Sequence, residues 1–166
     1  MITRRSLYGC AVMAALMWPL TTTAEPADKA PLKPLVTATS WVYSVEGEFA
    51  EVKQDLLRAI ETQGAVVSYV GHVDAMLNRT AEDLKVNHQV YGHAEVVLFC
   101  KAEVTHKLLQ SDPHALVLCP YTIAVYTLAA NPQIVYLAIN KPPQNVVIYA
   151  QIHALLQLII TDTITF

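Results

Sequence analysis

Cys100 and Cys119 are the pair of side chains best suited to chemistry in this chain, and His106 lies between them. Eighteen residues separate the two thiols, enough for one helical connection between strands. A thiol just ahead of a helix has its pKa lowered, because the thiolate faces the positive end of the helix. Cys100 stands at such a position, so a thiolate ligand or a redox pair is one reading. Free cysteine is also among the most buried residue types, so two small structural residues is another. A disulfide is the third. The expected right-handed crossover argues against it, because two parallel strands would put Cys100 and Cys119 at opposite edges of the sheet. Their Cα atoms would then exceed the roughly 7 Å that a disulfide tolerates.

The histidines are scattered. His72 closes a predicted strand, His88 and His93 share a loop, and His114 follows Asp112-Pro113. A transition-metal site needs three or four ligands converging at about 2.0–2.3 Å. No His-x-x-x-His or Cys-x-x-Cys spacing forces that convergence. If a metal ion or haem iron is bound, His72, Cys100 and His106 are the expected ligands, with Cys119 and Tyr121 completing the cofactor pocket. Tyr126 and Tyr136 either join that aromatic lining or pack on each other across a hairpin. The chain has no phosphate loop and no nucleophile elbow.

The elements that must hold these residues follow from periodicity. Ser40–Glu46 alternates Trp41, Tyr43 and Val45 against smaller residues, which predicts a strand with one buried face. Phe49, Val52, Leu56, Ala59 and Ile60 recur at helical spacing, and Gly64 suits a left-handed helix end. Residues 65–70 read as a second strand, 73–84 as a short helix, and 85–93 as a loop. Then come an apolar strand ending at Cys100, a crossover helix, and two strands, 116–128 and 133–139. Lys141-Pro142-Pro143 stops the last strand. Residues 144–160 predict a terminal helix, with Val147, Ala150, Ala154 and Leu158 spaced along it. No charge occurs between Lys141 and Asp162, so this helix must be covered by its own domain or by a partner. The pattern predicts an α+β fold: a small ferredoxin-like α/β sandwich, with a mixed sheet and helices mainly on one face.

The N-terminus sets the compartment. Arg4-Arg5 precede an uncharged run, Gly9–Leu20, and small residues reach Ala24. This pattern is a cleaved signal peptide over residues 1–24, by the Sec route or, given the paired arginines, the twin-arginine route. The run is about a dozen residues, short of the roughly 20 that span a bilayer. No stable membrane span is expected after cleavage. The expected location is therefore periplasmic or secreted, with residues 25–38 a flexible leader and 39–166 one domain. Without its first 24 residues the chain has 9 basic against 14 acidic residues, a net charge of −5. That excludes the clustered basic surface nucleic-acid binding requires.

Several local motifs together resemble a known family. They are Phe49 with a helix ending at Gly64, Tyr69-Val70-Gly71-His72, Phe99-Cys100-Lys101-Ala102, His106 and Asp112-Pro113-His114. Leu118-Cys119-Pro120-Tyr121, Ile123-Ala124-Val125-Tyr126 and Val135-Tyr136-Leu137 complete the set. Over about Ser44–Pro142 the chain resembles the bacterial domain-of-unknown-function family 302. The resemblance implies a small α/β sandwich, commonly a homodimer, and implies no activity. Many relatives carry Asn-Pro where this chain has Lys101-Ala102.

Three functions fit these observations. One is an exported small-ligand or cofactor-binding module, holding haem or a metal through His and Cys. The second is a thiol-based redox enzyme acting through Cys100. The third is a structural subunit whose uncharged terminal helix packs against a partner.

Overall fold

The computed structural model describes residues 33–141 and 147–165. The predicted signal peptide and most of the leader lie outside them. Six strands form one sheet: β1 (Leu35–Val36), β2 (Ser40–Glu46), β3 (Val66–His72), β4 (Tyr91–Cys100), β5 (Tyr121–Leu128) and β6 (Asn131–Asn140). Four helices accompany them: α1 (Phe49–Thr62), α2 (Val73–Thr80), α3 (Ala102–Ser111) and α4 (Val147–Thr165), with a 3-10 helix at Pro113–Leu118. The strand order is β1-β2-β6-β5-β4-β3. Every pairing is antiparallel, so the α+β class holds but the sheet is not mixed. Leu35 and Val36 pair with Val42 and Trp41, adding a short edge strand inside the stretch read as leader.

Alternation along the strands divides the sheet into two faces. Tyr43, Val97, Phe99, Ile123, Val125, Val135, Leu137 and Ile139 point to one face and form the core with α1 and α4. Helix α1 contributes Val52, Leu56, Ala59 and Ile60, the stripe its sequence spacing predicts. It ends where Gly64 takes φ +68°, a conformation that costs a glycine little.

Helix α4 covers the same face, but not with the stripe its sequence suggested. Val147 and Leu158 are exposed, as are Ala150 and Ala154. The buried side is Tyr149, Ile152, His153, Leu155, Leu156, Ile159, Ile160 and Thr163. A helix that is apolar nearly all round has no periodic signal to say which side meets the sheet. Here most of the bulky residues face inward, while Ala150, Gln151, Ala154 and Thr161 face outward. Among the described residues no helix is long and apolar enough to cross a membrane.

His153 is the polar exception on the buried side. Its ring meets the Trp41 ring edge-on, with centroids 4.4 Å apart. Trp41 Nε1 and His153 Nε2 are both buried without a hydrogen-bond partner among the described residues. Desolvation holds the His153 pKa below the ordinary imidazole value, and Gln157 opposes the shift. The folded state therefore binds this proton less readily than the unfolded chain. Stability contributed by neutral His153 is lost as pH falls below the ordinary imidazole pKa, and the loss ends once the folded pKa is passed. Urea midpoints measured from pH 7.5 to 5 are expected to fall less steeply for His153→Leu than for the wild type. Parallel curves would show that His153 does not contribute.

Candidate functional site

The antiparallel pairing of β4 with β5 decides where the cysteines go. Phe99 sits opposite Tyr121, so the segment between them leaves the sheet and returns to the same end. That segment is α3 followed by the 3-10 helix. Lys101, in extended conformation, precedes the first turn of α3. Asp112 starts the 3-10 helix by accepting a hydrogen bond from the His114 backbone N–H at 2.9 Å, with Pro113 at its first position. Cys119 then leads through a cis peptide into Pro120 and β5.

Cys100 and Cys119 therefore meet, with Cα atoms 6.4 Å apart, and form a disulfide. This corrects the parallel crossover expected from the sequence. A connection of this length serves either strand direction, and only the tertiary pairing chooses. The proposed Cys100 thiolate ligand is instead bonded to Cys119.

The disulfide borders an open pocket of about 400 Å³. Its walls are Gly64 and Val66 after α1, Cys100 at the end of β4, and Ala102, Thr105, His106 and Leu109 on α3. Thr105 is one turn into α3 and also reaches behind the disulfide. Its Oγ1 lies 3.8 Å from Cys119 Sγ and 3.1 Å from the Tyr121 hydroxyl. Burial raises the Tyr121 pKa, opposed by the bond to Thr105, so the phenol keeps its proton across the physiological range. Tyr121 faces the core against Phe99, at a centroid distance of 6.1 Å.

Of the residues singled out from the sequence, Cys100, Cys119, His106 and Tyr121 gather around this one end of the sheet. His72 does not. In the β3–β4 register Val66 is opposite Cys100, whereas His72 is opposite Glu95. Six residues of strand amount to roughly 20 Å. The expected ligand trio of His72, Cys100 and His106 is thus divided between the two ends of β3. Among the described residues no group of three or more His, Cys, Asp or Glu side chains is placed to hold a metal ion.

His72 belongs to a different cluster, which sequence reasoning missed. Its Nδ1 lies 3.3 Å from Glu95 Oε1, while Glu95 Oε2 pairs with Lys53 Nζ at 2.5 Å. His93 stacks on Phe49 at 4.7 Å, with Asp74 3.9 Å from its Nδ1. Glu95 is buried on the core side of β4, and Lys53 comes from α1. An isolated glutamate in an apolar strand was the available signal, because a buried carboxylate demands a partner. Thr105 gave no such signal. Tyr126 and Tyr136 stack across the hairpin at 5.3 Å, with Tyr91 edge-on to Tyr126. They occupy the sheet face opposite Tyr121, so they pack together and do not line the pocket.

An antiparallel sheet backed on one face by α1 and α4, with a disulfide-closed helical excursion between two central strands, defines an α+β domain. The chain belongs to the family described as "Domain of unknown function DUF302", whose sequence model matches residues 41–162. It is similar in fold to the crystal structure of an uncharacterized conserved DUF302 protein from Bacillus stearothermophilus. The TM-score is 0.53 at 13% sequence identity, covering 78% of this chain and 92% of that one. No curated protein matches the chain.

Proposed function

We propose that this protein is an exported thiol–disulfide exchange module whose working group is the Cys100–Cys119 pair. The observation that carries the reading is the disulfide on the wall of an open pocket, at the N-terminus of α3. A helix N-terminus stabilises a thiolate and so favours a reducible, reactive cysteine. The signal-like N-terminus supports delivery to a compartment where disulfides persist. A haem or metal site is less well supported, since His72 lies far from Cys100 and His106.

In the reaction, the thiolate of a thiol compound attacks one sulfur of the disulfide, and the S–S bond breaks. A mixed disulfide forms and the other cysteine leaves as a thiolate. A second thiolate then attacks the mixed disulfide, releasing an oxidised compound and the reduced Cys100–Cys119 dithiol. Two thiols lose two electrons, and the protein disulfide gains them. The same steps run backwards when the dithiol meets a disulfide compound.

The test is equilibration of the folded protein in glutathione redox buffers, with the thiols counted by mass tagging. A midpoint between about −270 and −120 mV, in the range of exchange-active proteins, is expected. A midpoint below about −300 mV, with no reduction unless denaturant is added, identifies an inert structural bridge. That result would overturn the proposal.

A further inference from the structure

The two sulfurs of the disulfide have different surroundings. Cys100 is part of the pocket wall, and Cys119 is not among the residues that line it. Cys119 has instead a hydroxyl pair behind it: Thr105 Oγ1 at 3.8 Å, itself 3.1 Å from the Tyr121 hydroxyl. Thr105 borders both the pocket and Cys119. The walls around Cys100 are small or apolar (Gly64, Val66, Ala102, Leu109), and His106 supplies an imidazole among them. The volume, about 400 Å³, is within the range of small-molecule sites.

We infer that the pocket takes a low-molecular-weight thiol, which joins the protein at Cys100, while Cys119 departs toward Thr105 and Tyr121. This rests on the exchange reading above and specifies its substrate class and direction. The entering thiol gives its proton to the His106 imidazole, the base on the pocket wall. Its thiolate bonds to Cys100 Sγ, and the electron pair of the S–S bond moves to Cys119 Sγ. The Thr105 hydroxyl donates to the new thiolate and accepts from the Tyr121 phenol. Hydrogen bonds to a charged acceptor are roughly twice as strong as neutral ones, so this pair stabilises Cys119 as the leaving thiolate, while the pocket, which reaches Cys100 and not Cys119, selects the sulfur that is attacked. Thr105 is a positioning residue, since it acts through Cys119.

Glutathione is the probe. Wild-type protein is mixed with reduced glutathione, quenched in acid, and mapped by peptide mass. The adduct is expected on Cys100. In single variants with oxidised glutathione, C119S, which keeps Cys100, is expected to form its adduct about tenfold faster than C100S. In the C100S background, Thr105→Val is expected to raise the pH at which Cys119 becomes thiolate, read by alkylation rate, and Thr105→Ser to restore it. A purely structural Thr105 would leave that profile in place. An adduct mainly on Cys119, or a C100S rate equal to that of C119S, overturns the inference. So does a wild-type protein reduced by thioredoxin but not by glutathione, because the substrate would then be a protein thiol. These failures are distinct from that of the parent reading. If dithiothreitol reduces the folded protein, exchange stands whichever sulfur is attacked. If it does not, both proposals fall.

Discussion

A chain ended after Lys141 is expected not to fold. Helix α4 buries Tyr149, Ile152, Leu155, Leu156, Ile159 and Ile160 against the sheet and α1. Each large apolar side chain taken out of water contributes about 1.5–3 kcal/mol. Six of them supply roughly 10 kcal/mol or more, comparable to the whole net stability of a domain, about 5–15 kcal/mol. The deletion would also open the core face of β5 and β6, where Ile123, Val125, Leu137 and Ile139 are completely or almost completely buried. Circular dichroism is expected to show no cooperative melting transition, and the truncated chain should aggregate. A monodisperse product that melts cooperatively would show that α4 is dispensable. The single substitutions Ile159→Ala and Ile160→Ala should each cost about 2–5 kcal/mol, measured by urea unfolding. The uncharged helix is covered on one side by the sheet and α1 of its own domain.

That helix also shows what the sequence could and could not convey. Strand β2 was legible to the residue, because Trp41, Tyr43 and Val45 alternate with smaller residues. Helix α1 was legible because charged residues mark its wet side. Helix α4 lacks such marks, so periodicity gave a helix without its buried face. The pairing of Tyr126 with Tyr136 follows from the hairpin and appears as the register expects.

The disulfide site was half legible. Cys100, Cys119 and Tyr121 were identified by residue type and by their place at strand ends, and His106 by its place between the cysteines. Their convergence depended on the direction of β5, and no local signal sets it. A helical excursion of about 20 residues is long enough to cross over to a parallel strand or to return beside the one it left. The direction is set by the pairing of Val97 with Ile123 and of Phe99 with Tyr121, contacts between residues far apart in sequence. His72 was misplaced for the same reason. Its strand end lies beside Glu95 in the middle of β4, not beside Cys100 at the end, once β3 and β4 run antiparallel.

Replacing both cysteines, C100S/C119S, is expected to cost about 3 kcal/mol and to lower Tm by about 10 °C. The disulfide closes a sequence separation of 19 residues, and its loss frees that loop in the unfolded chain. The urea m-value should rise slightly, because the denatured state expands when the link is cut. Wild-type protein kept reduced should melt close to the double variant. The magnitude bears on function through linkage. Whatever free energy the disulfide adds to the fold, the fold returns to the disulfide, at about 30 mV for each 1.4 kcal/mol. A cost of about 3 kcal/mol lowers the reduction potential by roughly 65 mV from that of the unfolded pair, which still leaves a reducible bridge. Stabilisation of the reduced Cys100 thiolate at the start of α3 acts in the opposite direction. A measured cost above about 5 kcal/mol would push the potential down by more than about 100 mV and favour a permanent staple. Unfolding free energies of oxidised, reduced and double-variant protein, set beside the glutathione midpoint, form a closed thermodynamic cycle. If the cycle closes at about 3 kcal/mol, the bridge is stabilising yet still within reach of small thiols.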